Sequence, residues 1–553
     1  MKKLSIILCI VLALSTLAFS ACKKEPDAPK PPKTAANGEI IIEGDEYKVE
    51  ADVSDNYRTF YEIFTGSFSD SNGDGKGDLR GIINRMDYLN DGDPNSGVSL
   101  GIEGIWLTPI FKSGTYHKYD VIDYYTIDPD FGTLNDLKDL IAICHERNVK
   151  LIIDLPINHT SSNCEWFKNF KQAHIDADTA SDYYYFYSYY ARGMDKPDKN
   201  TYSALAGTNL YYECNFDNNM PEANFDNEFV RQTFLDVAKY YLELGIDGFR
   251  FDAAYYIYKG NNQKNVEFWD WYIGELRKVK SDVYTISEVW PDPYSDAATY
   301  SYFSSGNCFN FTTSQSNSAL GLAAKSIGSV NDYTRYLSNY LKKIKEVNEN
   351  AMASLFLSNH DTNRSLSFLS ESGQMEMAAN MYLLASGSPF IYYGEEIAMR
   401  GSRDSSEMTD ANRRLAMNWG DGDTIQNPKD FSSYVPISQT NPTAAEQMKD
   451  NDSLYTYYKR LIALRKANPE IARGTYTAMT ITGTKAGGFV VEYQGSTLGI
   501  IHNATKEEVT IDLSAATDKT FNSIITAIGY GDNTVSLKGT TITIAPQTSV
   551  ILK

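Results

Sequence analysis

The chain runs to 553 residues, more than one ordinary domain needs and enough for a large core with satellite units. Its 42% hydrophobic and 22% charged residues are those of a soluble globular protein. A formal net charge of −20 argues against nucleic acid or an anionic membrane surface as a partner and suits a neutral substrate. Tyrosine is abundant, at 40 residues. Its flat apolar face and its hydroxyl suit a ligand that is part apolar and part hydroxylated, such as a sugar, and equally suit half-buried surface.

Residues 1–21 read as a secretion signal: Lys2 and Lys3, an apolar stretch from Ile6 to Leu14, then small residues. The stretch is short for a membrane-spanning helix. Phe19-Ser20-Ala21-Cys22 resembles a bacterial lipoprotein cleavage box, with Phe19 where an aliphatic residue is usual. The expectation is an extracytoplasmic protein, secreted or held to the cell envelope through a lipid on Cys22. Residues 22–52 follow as a tether whose first part is rich in Lys, Pro, Asp and Ala.

From there strands and helices alternate. Eight strand candidates follow in order: Thr59–Phe64, Gly104–Leu107, Lys150–Asp154, Gly245–Asp252, Val283–Val289, Cys308–Thr312, Ala353–Asp361 and Pro389–Glu395. Several are apolar throughout, as strands buried on both faces should be. Between them lie amphipathic helices such as Asn135–Asn148, with Leu137, Leu140, Ile141 and Cys144 at helical spacing. These units predict an α/β fold, a (β/α)8 TIM barrel built from residues 53–159 and 228–472. The connection over 160–227 is too long for an ordinary loop and predicts an inserted domain after the third strand. From 473 to 553, short alternating runs such as Gly488–Tyr493 and Val509–Leu513 predict a C-terminal all-β sandwich. Cys164 and Cys214 could pair outside the cytoplasm; the alternative is buried free thiols.

Three carboxylates close apolar runs: Asp252 in Gly-Phe-Arg-Phe-Asp, Glu288 in Ile-Ser-Glu-Val-Trp and Asp361 in Ser-Asn-His-Asp. A charge at the tip of a hydrophobic strand is costly unless a site uses it. Barrel enzymes carry their chemistry at the C-terminal ends of the strands. Two carboxylates flanking a bond, with a third nearby, are what glycosidic cleavage requires. Arg250, two residues before Asp252, shares its strand face and would keep it ionised. Clustered acids push one pKa upward, which suits Glu288 as a proton donor. A single histidine is more often a structural hydrogen-bonding group than a ligand. Here His117, His159 and His360 stand at strand ends in a chain with only 6 His, which favours a site. Asp70-Ser-Asn72-Gly-Asp74-Gly-Lys76-Gly-Asp78 alternates oxygen-bearing residues along a Gly-rich loop, as a hard cation requires. It is not an EF-hand, because Gly81 occupies the place of the closing Glu.

Several ordered motifs together resemble glycoside hydrolase family 13, the α-amylase family, from about Phe60 to the C-terminus. They are Gly104-Ile-Trp-Leu-Thr-Pro109, Asp154-Leu-Pro-Ile-Asn-His159, Met220-Pro-Glu-Ala-Asn224, Gly248-Phe-Arg-Phe-Asp252, Glu288-Val-Trp290, Asn359-His-Asp361 and Gly387-Ser-Pro-Phe-Ile-Tyr-Tyr-Gly-Glu395. The resemblance implies that Asp252 is a nucleophile, Glu288 the general acid and then base, and Asp361 a stabiliser of the cationic sugar. It implies that His117, His159 and His360 bind sugar hydroxyls and that Tyr119 stacks on the ring. It also implies calcium held by Asp70, Asn72, Asp74 and Asp78 side chains and the Lys76 carbonyl, as in oligo-1,6-glucosidase-like members. A second, interdomain calcium relies in many α-amylases on a Lys-His pair after the nucleophile; Ala253-Ala254-Tyr255-Tyr256 stands there instead, so none is expected. The implied activity is retaining hydrolysis of α-1,4 bonds in starch or maltooligosaccharides, by a monomer. Alternatives are an exo-acting α-glucosidase or a cyclomaltodextrinase- or neopullulanase-like enzyme, in which Asp120 would close the cleft against a chain end. A non-catalytic glucan-binding protein is disfavoured, because Arg250, Asp252, Glu288 and Asp361 are all retained.

Overall fold

The computed structural model describes residues 33–34, 39–42, 55–403, 410–428 and 434–553. Residues 1–21, read as a secretion signal, and Cys22 lie outside the described residues. Six strands, β1 (Phe60–Ile63), β2 (Gly104–Leu107), β3 (Lys150–Leu155), β4 (Gly248–Phe251), β5 (Tyr284–Ser287) and β6 (Asn307–Cys308), join β7 (Phe390–Tyr392) in one parallel sheet, ordered β6-β5-β4-β3-β2-β1-β7. The ring closes between β6 and β7 through the segment 354–356. Ser354 bridges to Phe309 and Phe356 to Phe390, both parallel. The strand expected over Ala353–Asp361 is thus reduced to two bridges. Its second half turns, because the backbone N–H of His360 donates to the Glu62 carboxylate and that of Asn359 to Thr362 Oγ1. This is the (β/α)8 barrel, with helices such as Leu134–Glu146 and Glu228–Leu244 laying apolar faces on the outer side of the sheet. Thr133 and Asp136 form a capping box that starts the first of these helices.

The period of two along each strand sorts side chains to opposite faces of the sheet. Tyr61, Ile105, Ile153 and Phe251 pack outward among the helices. Phe60, Trp106, Ile152, Tyr284 and Ile286 fill the interior with Phe309, Phe356 and Phe390. Gly248 lies at this interior level, where a Cβ would sit 1.8 Å from the carbonyl oxygen of Tyr284. No other residue lets β4 and β5 approach so closely.

The insertion carries the helix Glu165–Ile175 and a three-stranded antiparallel sheet of Tyr189–Ala191, Leu210–Glu213 and Tyr202–Leu205. The bridge His159↔Glu222 stitches it to the segment after β3, and Tyr187↔Ala223 ties its own two ends together. The Asn158 amide donates to Glu222 Oε2 at 3.2 Å and to the Tyr256 carbonyl at 2.8 Å. The C-terminal region forms a five-stranded and a three-stranded sheet over a core that includes Val490, Ile501, Ile511, Ile542 and Val550. Two short strands from the stretch read as a tether, Lys33–Thr34 and Ile40–Ile42, extend one of these sheets at Val535–Lys538. An apolar β-branched run has the composition of a strand whatever precedes it. Cys144, Cys164, Cys214 and Cys308 are buried free thiols. Cys164 and Cys214 therefore do not pair; Cys214 Sγ donates instead to Ser203 Oγ at 3.3 Å.

Candidate active site

The same alternation builds the site. Above the apolar interior, β1 presents Glu62, β3 Asp154 and β4 Arg250, each no more than 1% exposed. Arg250 lies in register with Asp154 on one side and Ile286 on the other. One step beyond the strand ends come Asp252 and Glu288, each 8% exposed.

Arg250 is the hub. Its Nη1 donates to Asp154 Oδ1 at 2.9 Å and to Asp252 Oδ1. Its Nη2 lies 3.1 Å from Glu288 Oε1. The guanidinium sits 5.3 Å from the Trp106 ring centroid, which screens it from water on that side. One cation among three buried acids leaves excess negative charge, so protons are retained. Burial, and then the Asp252 charge against the pull of Arg250, pushes Asp154 up to about 7. Burial pushes Glu288 to about 7 as well, with Asp252 and Asp361 adding to it and Arg250 opposing. Glu288 Oε2 accepts from the Ala253 N–H at 2.9 Å. Ala253 is held at φ +47°, a left-handed conformation unfavourable for any residue with a Cβ and typical of sites that over-determine their backbone.

Asp361 stands on the turn after the 354–356 segment. Its Oδ1 accepts from Arg414 Nη2 at 2.7 Å, and its Oδ2 lies 2.9 Å from His360 Nε2. His360 Nδ1 faces Glu62 Oε1 at 2.6 Å. The Tyr119 hydroxyl donates to Asp154 Oδ2 at 2.8 Å, so it accepts from His360 Nε2, 2.6 Å away. Both ring nitrogens then carry protons. Burial opposes this, but Asp361 and Glu62 lift the imidazolium to about 10. Burial pushes Asp361 up, while His360, Arg414 and Arg250 together hold its carboxyl well below the usual range. Tyr119 stacks on His360 with centroids 5.5 Å apart.

His117 Nδ1 accepts from the Tyr119 N–H at 3.1 Å. Burial first, then the Arg414 charge, lowers His117 to about 3, so it is a neutral imidazole. Burial also lowers His159. His159 Nε2 is buried without a hydrogen-bond partner among the described residues, as expected of a group reserved for a ligand. Beside Glu288 opens a cavity of about 340 Å³ lined by Phe216, Ala253, Tyr256, Trp290, Asp292 and Tyr294. Phe216 comes from the insertion and is 47% exposed.

The structure thus brings Asp252, Glu288, Asp361, Arg250, Tyr119 and His360 into one network, with His117 against Tyr119 and His159 near Asp252. Sequence reasoning missed Glu62, Asp154 and Arg414 as members of it. Asp120 does not face the cleft: it is fully buried and accepts from Ser113, Thr115 and Asn219.

Along Asp70–Asp78, the backbone N–H groups of Asn72, Gly73 and Gly75 donate to the Asp70 carboxylate. Those of Asp74 and Lys76 donate to Asn72 and Asp74. Asp78 caps the helix Leu79–Asn84 through the Gly81 N–H and holds Ser71. Lys76 pairs with Asp130 at 2.7 Å. The oxygen donors suit a hard cation in kind, but no group of three or more acidic, His or Cys side chains able to hold a metal forms among the described residues.

An α/β barrel whose strand ends bring two carboxylates onto one guanidinium, with a third held ionised beside them, is the architecture of a glycoside hydrolase. Residues 62–474 match the family model described as the α-amylase catalytic domain, and the chain belongs to the α-amylase family, glycoside hydrolase family 13. It is 34% identical over 462 residues to Alpha-amylase 3 of Dictyoglomus thermophilum, covering 82% of this chain and 86% of that one. It is 30% identical over 527 residues to an oligo-1,6-glucosidase of Bacillus cereus, covering 82% and 91%. Among solved structures, Amy13B of Eubacterium rectale superposes with a TM-score of 0.81 at 33% identity, covering 92% of this chain and 97% of that one.

Proposed function

We propose that this hydrolase cleaves α-1,4-glucosidic bonds in starch or maltooligosaccharides with retention, through a covalent glycosyl-enzyme. The observation that carries the reading is the attachment of Asp252 and Glu288 to neighbouring nitrogens of Arg250. Two carboxylates held side by side on one guanidinium suit the short separation of retaining enzymes, about 5–5.5 Å, better than the wider gap that inverting enzymes need for a water.

Arg250 holds Asp252 Oδ1, so Oδ2 is left to attack the anomeric carbon. Glu288, near 7, carries the proton that the departing glycosidic oxygen takes. Once Asp252 is esterified its charge is gone, the push on Glu288 weakens, and the same carboxylate can take a proton from water. Water then attacks the anomeric carbon and releases the sugar and the Asp252 carboxylate. Asp361, fixed ionised by His360 and Arg414, faces the positive charge that builds on the ring. Neutral His117 and His159, with His360, Arg250 and Tyr119, hold the sugar. The aromatic cavity beside Glu288 suits the leaving-group sugars.

A calcium ion bound by Asp70, Asn72, Asp74, Asp78 and the Lys76 carbonyl belongs to this reading as a stabiliser of the fold, with no part in the chemical steps. So do a monomeric state and an extracytoplasmic location, with a lipid on Cys22 as the anchor. Relatives named oligo-1,6-glucosidase and cyclomaltodextrinase keep exo or ring-opening action as a second reading. A product time course on amylose, pullulan and cyclodextrin, with Glu288→Gln as control, decides between them. Products that first appear with inverted anomeric configuration refute the mechanism.

A further inference from the structure

Lys118 stands between His117 and Tyr119, and its surroundings are not those of a surface lysine. Its side chain is 7% exposed, with Nζ 3.0 Å from Asp128 Oδ2 and 3.4 Å from Asp130 Oδ2. The ammonium lies 5.3 Å from the centroid of the Phe131 ring. Asp128 is itself 3% exposed and accepts from the backbone N–H groups of Ser113 and Asp130. Asp130 also pairs with Lys76. Burying a lysine costs rotamer freedom and desolvation, so such a group is kept only where partners compensate it.

The backbone of Lys118 is left-handed, at φ +65°. A residue with a Cβ avoids that region and stays there only when its neighbours over-determine it. The turn has direct consequences for the site. It points the Tyr119 N–H back to His117 Nδ1, and it lets the Tyr119 hydroxyl reach both Asp154 and His360. Asp154 in turn holds Arg250, on which Asp252 and Glu288 depend.

We propose that Lys118 is a positioning residue: its buried ion pairs with Asp128 and Asp130 lock the left-handed turn that sets His117 and Tyr119 against the sugar. The proposal rests on the reading of those two residues as sugar contacts.

The test measures kcat and KM on a short maltooligosaccharide for five proteins, with folding checked by circular dichroism. They are the parent, Lys118→Met, Lys118→Arg, the double variant Lys118→Met with Asp128→Asn, and Tyr119→Ala. Lys118→Met keeps the length of the side chain but removes the ammonium. Adding Asp128→Asn removes the buried carboxylate that this leaves unpaired, so a folded variant is at hand even if the single one unfolds. The expected result is a fall in kcat of about 10²-fold, the scale of a misplacement of ~1 Å, with KM changed by less than about threefold. Lys118→Arg, which keeps the charge, recovers most of the rate. A folded charge-less variant that keeps both constants within about twofold of the parent overturns the proposal, even if it melts earlier. So does Lys118→Arg performing as poorly as Lys118→Met. If Tyr119→Ala is fully active, the sugar-site reading fails and takes the proposal with it. If Tyr119→Ala is crippled while the Lys118 variants are not, the positioning role alone fails.

Discussion

In the proposed mechanism Glu288 has to hold a proton when the glycosidic bond breaks, and its surroundings set the pH at which it stops doing so. Burial, and then the charges of Asp252 and Asp361 against that of Arg250, moves the carboxyl from 4.5 to about 7. The dependence of kcat/KM on pH reports this ionisation in the free enzyme. On a maltooligosaccharide, kcat/KM should hold level up to about pH 7 and then fall about tenfold per pH unit, with roughly one molecule in ten still protonated at pH 8 and one in a hundred at pH 9. The assay is the initial rate of reducing-sugar release at constant ionic strength from pH 5 to 9. A dinitrophenyl α-glucoside supplies the control, because its leaving group departs without a proton. With that substrate the alkaline fall in the glycosylation step should disappear, and Glu288→Gln should cost little in that step. An alkaline limb centred below about pH 5.5, where an unshifted carboxyl would put it, refutes the argument. So does the same limb persisting in Glu288→Gln on the natural substrate.

Glu288→Gln should lower kcat on starch by on the order of 10²–10⁴-fold, the usual worth of a general acid, as read by reducing-sugar release. Asp252→Asn should abolish turnover and trap no glycosyl-enzyme; a covalent adduct detected by mass spectrometry in that variant would assign the nucleophile elsewhere. Proton NMR of the first product should show the α-anomer before mutarotation, the outcome expected of paired carboxylates at the short separation. Calcium at a hundredfold excess over its Kd should add about 2.7 kcal/mol to the folded state, seen as a higher melting temperature that chelator reverses and Asp74→Ala removes; a calcium-insensitive melt counts against the loop. Gly387→Ala should lower the thermal midpoint sharply, by the equivalent of about 2–4 kcal/mol, because Gly387 sits at φ +97° and its Cβ would come 2.0 Å from the carbonyl oxygen of Ala353 at the seam of the barrel.

Much of the site is legible in the sequence because a parallel strand fixes which residues share a face. Arg250 and Asp252 lie two apart on β4, so their meeting follows from the pleat alone. Glu288 ends the neighbouring strand by the same logic. Glu62 carries a similar signal, a lone acid inside Phe60-Tyr-Glu-Ile63, but no motif draws attention to it. Arg414 reaches Asp361 from a loop 53 positions further on, and nothing in local spacing announces such a contact. The seventh barrel position defeats pattern reading for a different reason: an apolar run over Ala353–Leu357 looks the same whether it forms a full ladder or two bridges. Whether Cys164 and Cys214 pair depends on the distance between their Cα atoms, which no spacing in the chain reveals. The inward burial of Asp120 is likewise set by partners that sit far away in the sequence, Asn219 among them.

Routing both carboxylates through Arg250 makes position 250 a single point of failure. A change there would strip the proposed nucleophile of its counter-ion and the proposed proton donor of its tuning in one stroke, and would leave Asp154, Asp252 and Glu288 crowded together without a cation.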